Sequence, residues 1–403
     1  MKLLVLTSRF PYPIEKGDKL RAYHQLRELS KYFSLVLVSL SEQEVQPEER
    51  AKLEEFCDSV YIFPLDHRSR ALRSAWAMLK GGPAQVGYFY QSSIHRKIKA
   101  LIEKEQPQRI YCQLIRMAPY ARNTHVPATL DYMDAFSIGM LRRAKRSTGP
   151  KAWFFHLESW LVKKYEAKAF NWFERHSIIS KADQSRLTFP AKEKVEVIHN
   201  GIDLSYFQAP EPAPLATHDL VFVGNLGYFP NVDAATYLIK ELMPAIWKKR
   251  PLTTLLLAGA RPDIRLSKLA QDPRVTLRGW VDDIREAYLD GHIFIAPLFS
   301  GSGQQNKLLE AMALERPAIT TPLVNRAIGA EPGKHLLLAD HTQGFMDQVM
   351  TTLDQPGLQQ ALGKGARAFV KKHYSWEHSV ADLAQLIQAE RSSSAQTAAT
   401  DSR

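Results

Sequence analysis

Short apolar runs alternate with amphipathic helical stretches along almost the whole chain, in two series separated by a proline-rich break. The first series runs KLLVLT, SLVLVSL, SVYIFPL, RIYCQL, PATLDY, HSIIS and VEVIHNG, with helical segments such as LRAYHQLRELSKYF between most of them. Strands that are apolar throughout have no wet face. Spaced by helices, they predict a parallel sheet covered on both sides. Residues 207–219, FQAPEPAPLATHD, hold three prolines and no period, which predicts a linker. The pattern then restarts with LVFVGN, TTLLLAGA, VTLRGW, IFIAPL, AITT and HLLLAD, with NVDAATYLIKELMPAIWKK and VDDIREAYLDG as helices. The reading is α/β, with two doubly wound parallel-sheet domains over residues 1–206 and 220–375. The tail from 391, RSSSAQTAATDSR, carries no packing signal and is predicted to be disordered.

Such sheets bind ligands beyond the carboxyl ends of their strands, so the loops there are where chemistry is expected. After IFIAPL comes GSGQQNKLLEAMA. The N–H groups of Gly301–Gly303 and of the following helix's first turn suit anionic oxygens. Lys307 stands in that first turn, where the helix dipole disfavours a cation, and a bound diphosphate would account for it. Glu310 follows on the same face, where a carboxylate can accept from two ribose hydroxyls. The competing reading is a surface Lys–Glu pair after a flexible turn. The loop after the first strand, SRFPYPIEKGDKLRAYHQL, has Gly17 before its helix, with Lys16, Lys19 and Arg21 around it. This also reads as an ordinary loop with a solvated basic edge. No GxGxxG fingerprint and no Walker lysine loop is found, which counts against dinucleotide or ATP use.

Charge is placed unevenly. The whole chain carries +11, but residues 1–200 hold 33 Lys and Arg against 21 Asp and Glu, while the remainder holds 20 against 21. A basic first half predicts an acidic partner. Residues 141–173 put Arg142, Arg143, Lys145 and Arg146 ahead of Trp153, Phe154, Phe155, Trp160, Phe170, Trp172 and Phe173. Aromatic residues beside Lys and Arg suit an anionic membrane surface; a core-facing helix with a solvated basic face is the alternative. No nucleic-acid-binding motif accompanies the charge, so nucleic acid is not the expected partner. The longest apolar runs fall well short of a membrane span. The opening MKLLVLTSRF reads as a strand rather than a signal peptide. Two cysteines, Cys57 and Cys112, make no disulfide framework, and a cytoplasmic setting is expected.

The stretch GSGQQNKLLEAMALERPAI resembles the nucleotide-sugar loop of retaining GT-B glycosyltransferases of family 4. VIHNGIDLSYF, VTLRGWVDDIREAYLDGHIFIAPL, AIGAEPGKHLLLAD and YSWEHSVADLAQLI are similar to that family's other landmarks, in its order. PYPIEKGDKLRAYHQL, GNLGYFPNVDA and GQQNKLLEAMA most resemble a subgroup associated with exopolysaccharide and exosortase (PEP-CTERM) systems. The resemblance reaches to about Gln388. It implies a GT-B fold with the two domains facing across a cleft, and a terminal helix over 376–390 crossing back to the first domain. The implied reaction moves a hexose, with retention, from a nucleotide-sugar donor to a glycan or lipid-linked glycan acceptor at the inner face of the cytoplasmic membrane. No metal and no resident cofactor is expected.

Carried over residue by residue, Lys307 would bind the donor diphosphate and Glu310 the ribose. Gly301, Ser302, Gly303, Gln304 and Asn306 would lie along sugar and phosphates. Gly17 and Gly224 would bring backbone close, and the base would rest by Gly279 and Trp280. The chain also departs from the pattern. Ser302 stands where many relatives have a first glutamate, and GNLGYFPN lacks their Arg and Lys, so Lys19 or Arg21 would share the diphosphate charge. LDYMDAFS offers Asp131 and Asp134 where relatives have His-Asp; either could act on the acceptor hydroxyl, or Asp134 could cap the next helix. Two other classes stay open: a nucleotide-sugar epimerase of the same architecture, and a catalytically weak donor-binding protein.

Overall fold

The computed structural model describes residues 1–66, 69–212, 214–300 and 304–389. Contacts divide the chain into two units, residues 201–378 forming one, and residues 1–200 with the chain from Ser379 onward forming the other. Each is built on a parallel sheet. The first holds β1 (Lys2–Thr7), β2 (Ser34–Ser41), β3 (Ser59–Pro64), β4 (Arg109–Gln113), β5 (Ala128–Asp131), β6 (Arg175–Ile178) and β7 (Glu196–Val197), in the order β3-β2-β1-β4-β5-β6-β7. The second holds β8 (His218–Val223), β9 (Leu255–Ala258), β10 (Val275–Arg278), β11 (Gly291–Ala296), β12 (Ala318–Thr320) and β13 (Leu337–Leu338), in the order β10-β9-β8-β11-β12-β13.

The central strands are buried on both faces, as their unbroken apolar runs require. Leu3, Leu4, Val5 and Leu6 of β1 and Leu220, Val221 and Phe222 of β8 are all but inaccessible. Register places Leu4 beside Val36 on one flank and Ile110 on the other. In both sheets strand order reverses at the first strand of the unit. Connections therefore leave β1 and β4, and likewise β8 and β11, in opposite directions, and a crevice opens at their carboxyl ends.

Two local departures from the sequence reading have identifiable causes. The run VEVIHNG forms only the short β7, because the Ile198 carbonyl and the Asn200 side chain accept from Arg21 at 3.0 and 2.7 Å. The helix over NVDAATYLIKELMPAIWKK widens to a π-turn at Leu238–Leu242, just ahead of Pro244, which has no N–H to donate.

Contacts divide the chain at Asn200/Gly201, ahead of residues 207–219. From Gly201 onward the backbone is held within the second unit. Ile202 donates to the Tyr374 carbonyl at 2.6 Å, and Arg367 donates to the Phe207 carbonyl at 3.0 Å. Most of the last helix, Trp376–Gln388, belongs to the first unit: Ser379 donates to the His199 carbonyl, and Arg109 to the Ile387 carbonyl at 3.1 Å. Residues 391–403 lie outside the described residues.

Candidate functional site

The crevice of the second unit lies where β8 and β11 diverge. β8 ends at Val223 and passes into Gly224; β10 ends at Arg278 and passes into Gly279-Trp280. Beyond β11 the chain re-enters the described structure at Gln304 and starts the Asn306–Ala313 helix. These three strand ends enclose a cavity of about 450 Å³ whose walls include Gly224, Trp280, Val281, Tyr288, Lys307 and Glu310.

Lys307 is partly buried. Its ammonium donates to Asn231 Oδ1 and sits 5.4 Å from the Phe222 ring centroid. Burial pulls its pKa down to about 8, with Glu310 partly opposing the shift. A cation lacking full solvation beside an open cavity is a strong anion ligand. Gly224 is required by the same geometry. A Cβ there would approach Asn231 Nδ2 to 2.9 Å and Lys307 Cε to 3.5 Å, displacing the amide that holds the lysine. Glu310 lies one helical turn on. Its Oε2 accepts from the Tyr288 hydroxyl at 2.6 Å, and burial raises its pKa. Lys307 and Glu310 therefore form no surface ion pair; each has its own buried support, and both border one cavity. The exposed Trp280 indole N–H donates to Asp282 at 3.2 Å. Asn306 is exposed at the helix start, and Gln304 donates to it at 3.3 Å. Gly279 is open, its nearest neighbour being Pro262. Gly301, Ser302 and Gly303 lie outside the described residues.

In the first unit the expected residues fare differently, and three need correction. Arg21 and Asp131 are completely buried and bonded to each other at 2.7 Å. Asp131 also accepts from the Tyr111 hydroxyl at 2.9 Å, the Ser177 hydroxyl at 3.1 Å and the Met133 N–H at 3.1 Å. With its donors satisfied by Asp131, Asn200 and Ile198, the Arg21 guanidinium has no face left for a diphosphate, and Asp131 has none for an acceptor. The third correction concerns Asp134. It does not cap the Phe136–Arg146 helix, whose N-cap is Ala135. That helix start is served from a distance by Glu166, which accepts from the Ser137 N–H at 3.0 Å and hydroxyl at 2.7 Å. Asp134 is left accessible at a strand end. Asp134 is exposed as a residue, yet desolvation by the protein packed around its carboxyl group pushes its pKa up to about 6, with Asp183 adding to the shift. Gly17 is exposed and Lys19 partly so, beside a smaller cavity lined by Lys19, Arg9 and Glu42.

The sequence reading missed Tyr288 and Asn231. Tyr288 sits in a helical run that reads as core, and Asn231 follows Pro230 in the first turn of the Phe229–Tyr237 helix. Neither carries a signal of its own; each is recognised only by what it holds. The stretch 141–173 divides. Trp153, Phe154 and Trp160 are exposed, whereas Phe173 is buried, Phe170 stacks on His176 at 4.0 Å and Trp172 lies under Arg122 at 4.7 Å.

Residues 217–355 match the family described as "Glycosyl transferases group 1". An "uncharacterized 44.6 kDa protein in cps region" of Klebsiella pneumoniae is 23% identical over 393 residues, covering 93% of this chain and 96% of that protein. Among solved structures, Anabaena Alr3699/HepE in complex with UDP superposes with a TM-score of 0.64 at 14% identity, over 96% of this chain and 99% of that one. A S. aureus TarM mutant in complex with fondaparinux, α-GlcNAc-glycerol and UDP gives 0.61 at 12% identity, over 96% and 100%. Two parallel-sheet units with these neighbours have the GT-B fold, and the match to the group 1 family falls within the second unit.

Proposed function

We propose that the protein is a retaining glycosyltransferase that takes a nucleotide-sugar donor and builds a cell-surface or exopolysaccharide glycan. The observation that carries this is the cavity at the β8/β11 divergence, where Lys307 and Glu310 stand one helical turn apart, each held by its own buried partner. Lys307 meets the diphosphate and stabilises the charge that grows on it as the sugar leaves. Glu310 accepts from the ribose hydroxyls, and Trp280 lies at the base. No protein nucleophile and no metal is assigned: the leaving phosphate oxygen helps deprotonate the acceptor, and the protein's part is positioning. Asp134 is the first-unit carboxylate available to orient an acceptor hydroxyl.

Three likenesses support the reading: UDP bound to the Anabaena neighbour, UDP and glycan ligands bound to the TarM mutant, and the cps-region relative. The group 1 match favours transfer over epimerisation of the donor. We place the enzyme at the inner face of the cytoplasmic membrane, on a glycan or lipid-linked acceptor. No helix among the described residues is long and apolar enough to cross a membrane. Calorimetry with UDP and other nucleoside diphosphates, then with their sugars, tests the donor site. Absence of binding to any of them defeats the proposal, and an isomerised donor formed without acceptor assigns the epimerase instead.

A further inference from the structure

The Arg70–Leu79 helix, RALRSAWAML, has no buried residue. Leu72, Trp76 and Leu79 are 73, 59 and 80% exposed. Their spacing of four and three puts them on one face within about 60° of arc. The helix packs by its other side. A Cβ on Gly87 would come within 2.5 Å of both Ala77 Cβ and the Arg73 carbonyl, so glycine lets the Ala84–Phe89 helix close against the small-residue face. An amphipathic helix in an ordinary soluble domain turns its large apolar residues inward. Here the small residues face in and the ridge of leucine and tryptophan faces out.

Basic residues predominate around this ridge, and the exposed Asp66 beside it is paired with Arg73 of the helix at 3.7 Å. From residue 67 to 102 the chain holds seven Lys and Arg and no Asp or Glu. Lys80 lies 4.7 Å from the Trp76 ring centroid. Residues 135–157, which include the start of the Gly149–Phe170 helix, hold five basic residues and again no acid. The two stretches meet at Glu158, which is buried and accepts from the Ala84 and Gln85 N–H groups at 2.8 and 3.0 Å, so it adds no exposed negative charge. Trp153 is 69% exposed one and a half turns before it.

We propose that the Arg70–Leu79 helix is the element by which the protein docks on an anionic lipid surface. Leu72, Trp76 and Leu79 enter the interface, and Arg70, Lys80, Arg142, Arg143, Lys145 and Lys151 meet the headgroups. An amphipathic helix with aromatic and basic residues binds a bilayer by apolar insertion together with attraction to anionic lipid. A protein partner offering the same chemistry would need an acidic rim around an apolar groove. The excess of basic over acidic residues along 67–102 and 135–157 fits the extended negative plane better. This deepens the membrane placement proposed above and rests on that reading for its purpose, but its test stands apart.

The experiment is co-sedimentation of the full chain with phosphatidylglycerol–phosphatidylethanolamine vesicles and with phosphatidylcholine vesicles, alongside calorimetry with UDP. The wild type should bind the anionic vesicles, weaken with salt, and bind phosphatidylcholine poorly. The Leu72→Ser, Trp76→Ser, Leu79→Ser variant should lose about tenfold or more in partitioning, with circular dichroism and UDP affinity unchanged. Retention of vesicle binding by this variant overturns the proposal, as does equal binding to both vesicle types. If the wild type sediments as a dimer, ignores vesicles, and the variant is monomeric, the ridge is a contact between copies and the proposal is wrong. Vesicle binding without affinity for any nucleoside diphosphate would leave the surface standing and remove the transferase reading. UDP binding without vesicle binding would do the reverse.

Discussion

The Tyr288 hydroxyl donates to Glu310 Oε2 at 2.6 Å, and Tyr288 is itself fully buried. One carboxylate oxygen is thereby fixed from behind, and the other stays toward the cavity. Glu310→Gln should weaken donor binding by about 1.5–3 kcal/mol, as for a lost hydrogen bond to a charged group. With a 2′,3′-dideoxy donor the loss should shrink to a few tenths. Equal losses for both donors would take Glu310 out of the ribose site.

Lys307 carries a pH signature. Its pKa is depressed to about 8 by burial, so the free protein loses this charge as pH rises through about 8. A diphosphate favours the protonated form. UDP affinity should therefore be flat below about pH 7 and fall by up to about tenfold per pH unit above 8, with proton uptake on binding in that range. Lys307→Ala should cost about 2–4 kcal/mol toward UDP, little toward uridine, and flatten the profile. A profile unchanged in the variant would assign the titration elsewhere.

Gly224 tests the packing beneath that lysine. Gly224→Ala puts a methyl 2.9 Å from Asn231 Nδ2. The amide should shift and release the Lys307 head, reducing UDP affinity about tenfold or more while thermal unfolding moves little. A large fall in melting temperature would mean the strand end itself has been disturbed.

The Arg21–Asp131 pair should behave as structure. Asp131→Ala leaves a buried guanidinium uncompensated and should destabilise the first unit by about 3–5 kcal/mol. Asp134→Asn, at an accessible carboxylate, should leave stability nearly unchanged. If Asp134 acts on the acceptor, the variant should retain UDP affinity and lose transfer rate. Denaturant unfolding and calorimetry together separate the two aspartates; the opposite pattern would exchange their roles.

Periodicity made the two sheets legible, because a strand buried on both faces must be apolar through its middle, and the runs Leu3–Leu6, Leu35–Val38, Leu220–Val223 and Ile293–Ala296 are. Lys307 stood out in the sequence because it sits where the helix dipole disfavours it, and the structure places it with Glu310 on the wall of one cavity. Burial was not legible at Arg21 and Asp131. A basic residue after a glycine-rich turn looks the same in sequence whether it faces a ligand or pairs with an aspartate 110 positions away. Tyr288 and Asn231 act only by supporting others, and support is a property of three dimensions. In the Arg70–Leu79 helix the pattern shows an apolar face, but only the packing of Ala77 against Gly87 shows which way that face is turned.

The terminal helix that returns to the first unit sets the order in which the protein can be completed. Residues 1–200 emerge from the ribosome first, but Ile387, whose carbonyl takes the Arg109 guanidinium, is made only after the whole of 201–378. At ordinary elongation rates that delay is on the order of ten to forty seconds. Throughout it the nascent first unit lacks its last helix, and the second must fold while tethered at one end only. A premature stop between residues 200 and 376 would therefore damage both halves, and the Trp376–Gln388 helix would be among the least dispensable segments of the chain.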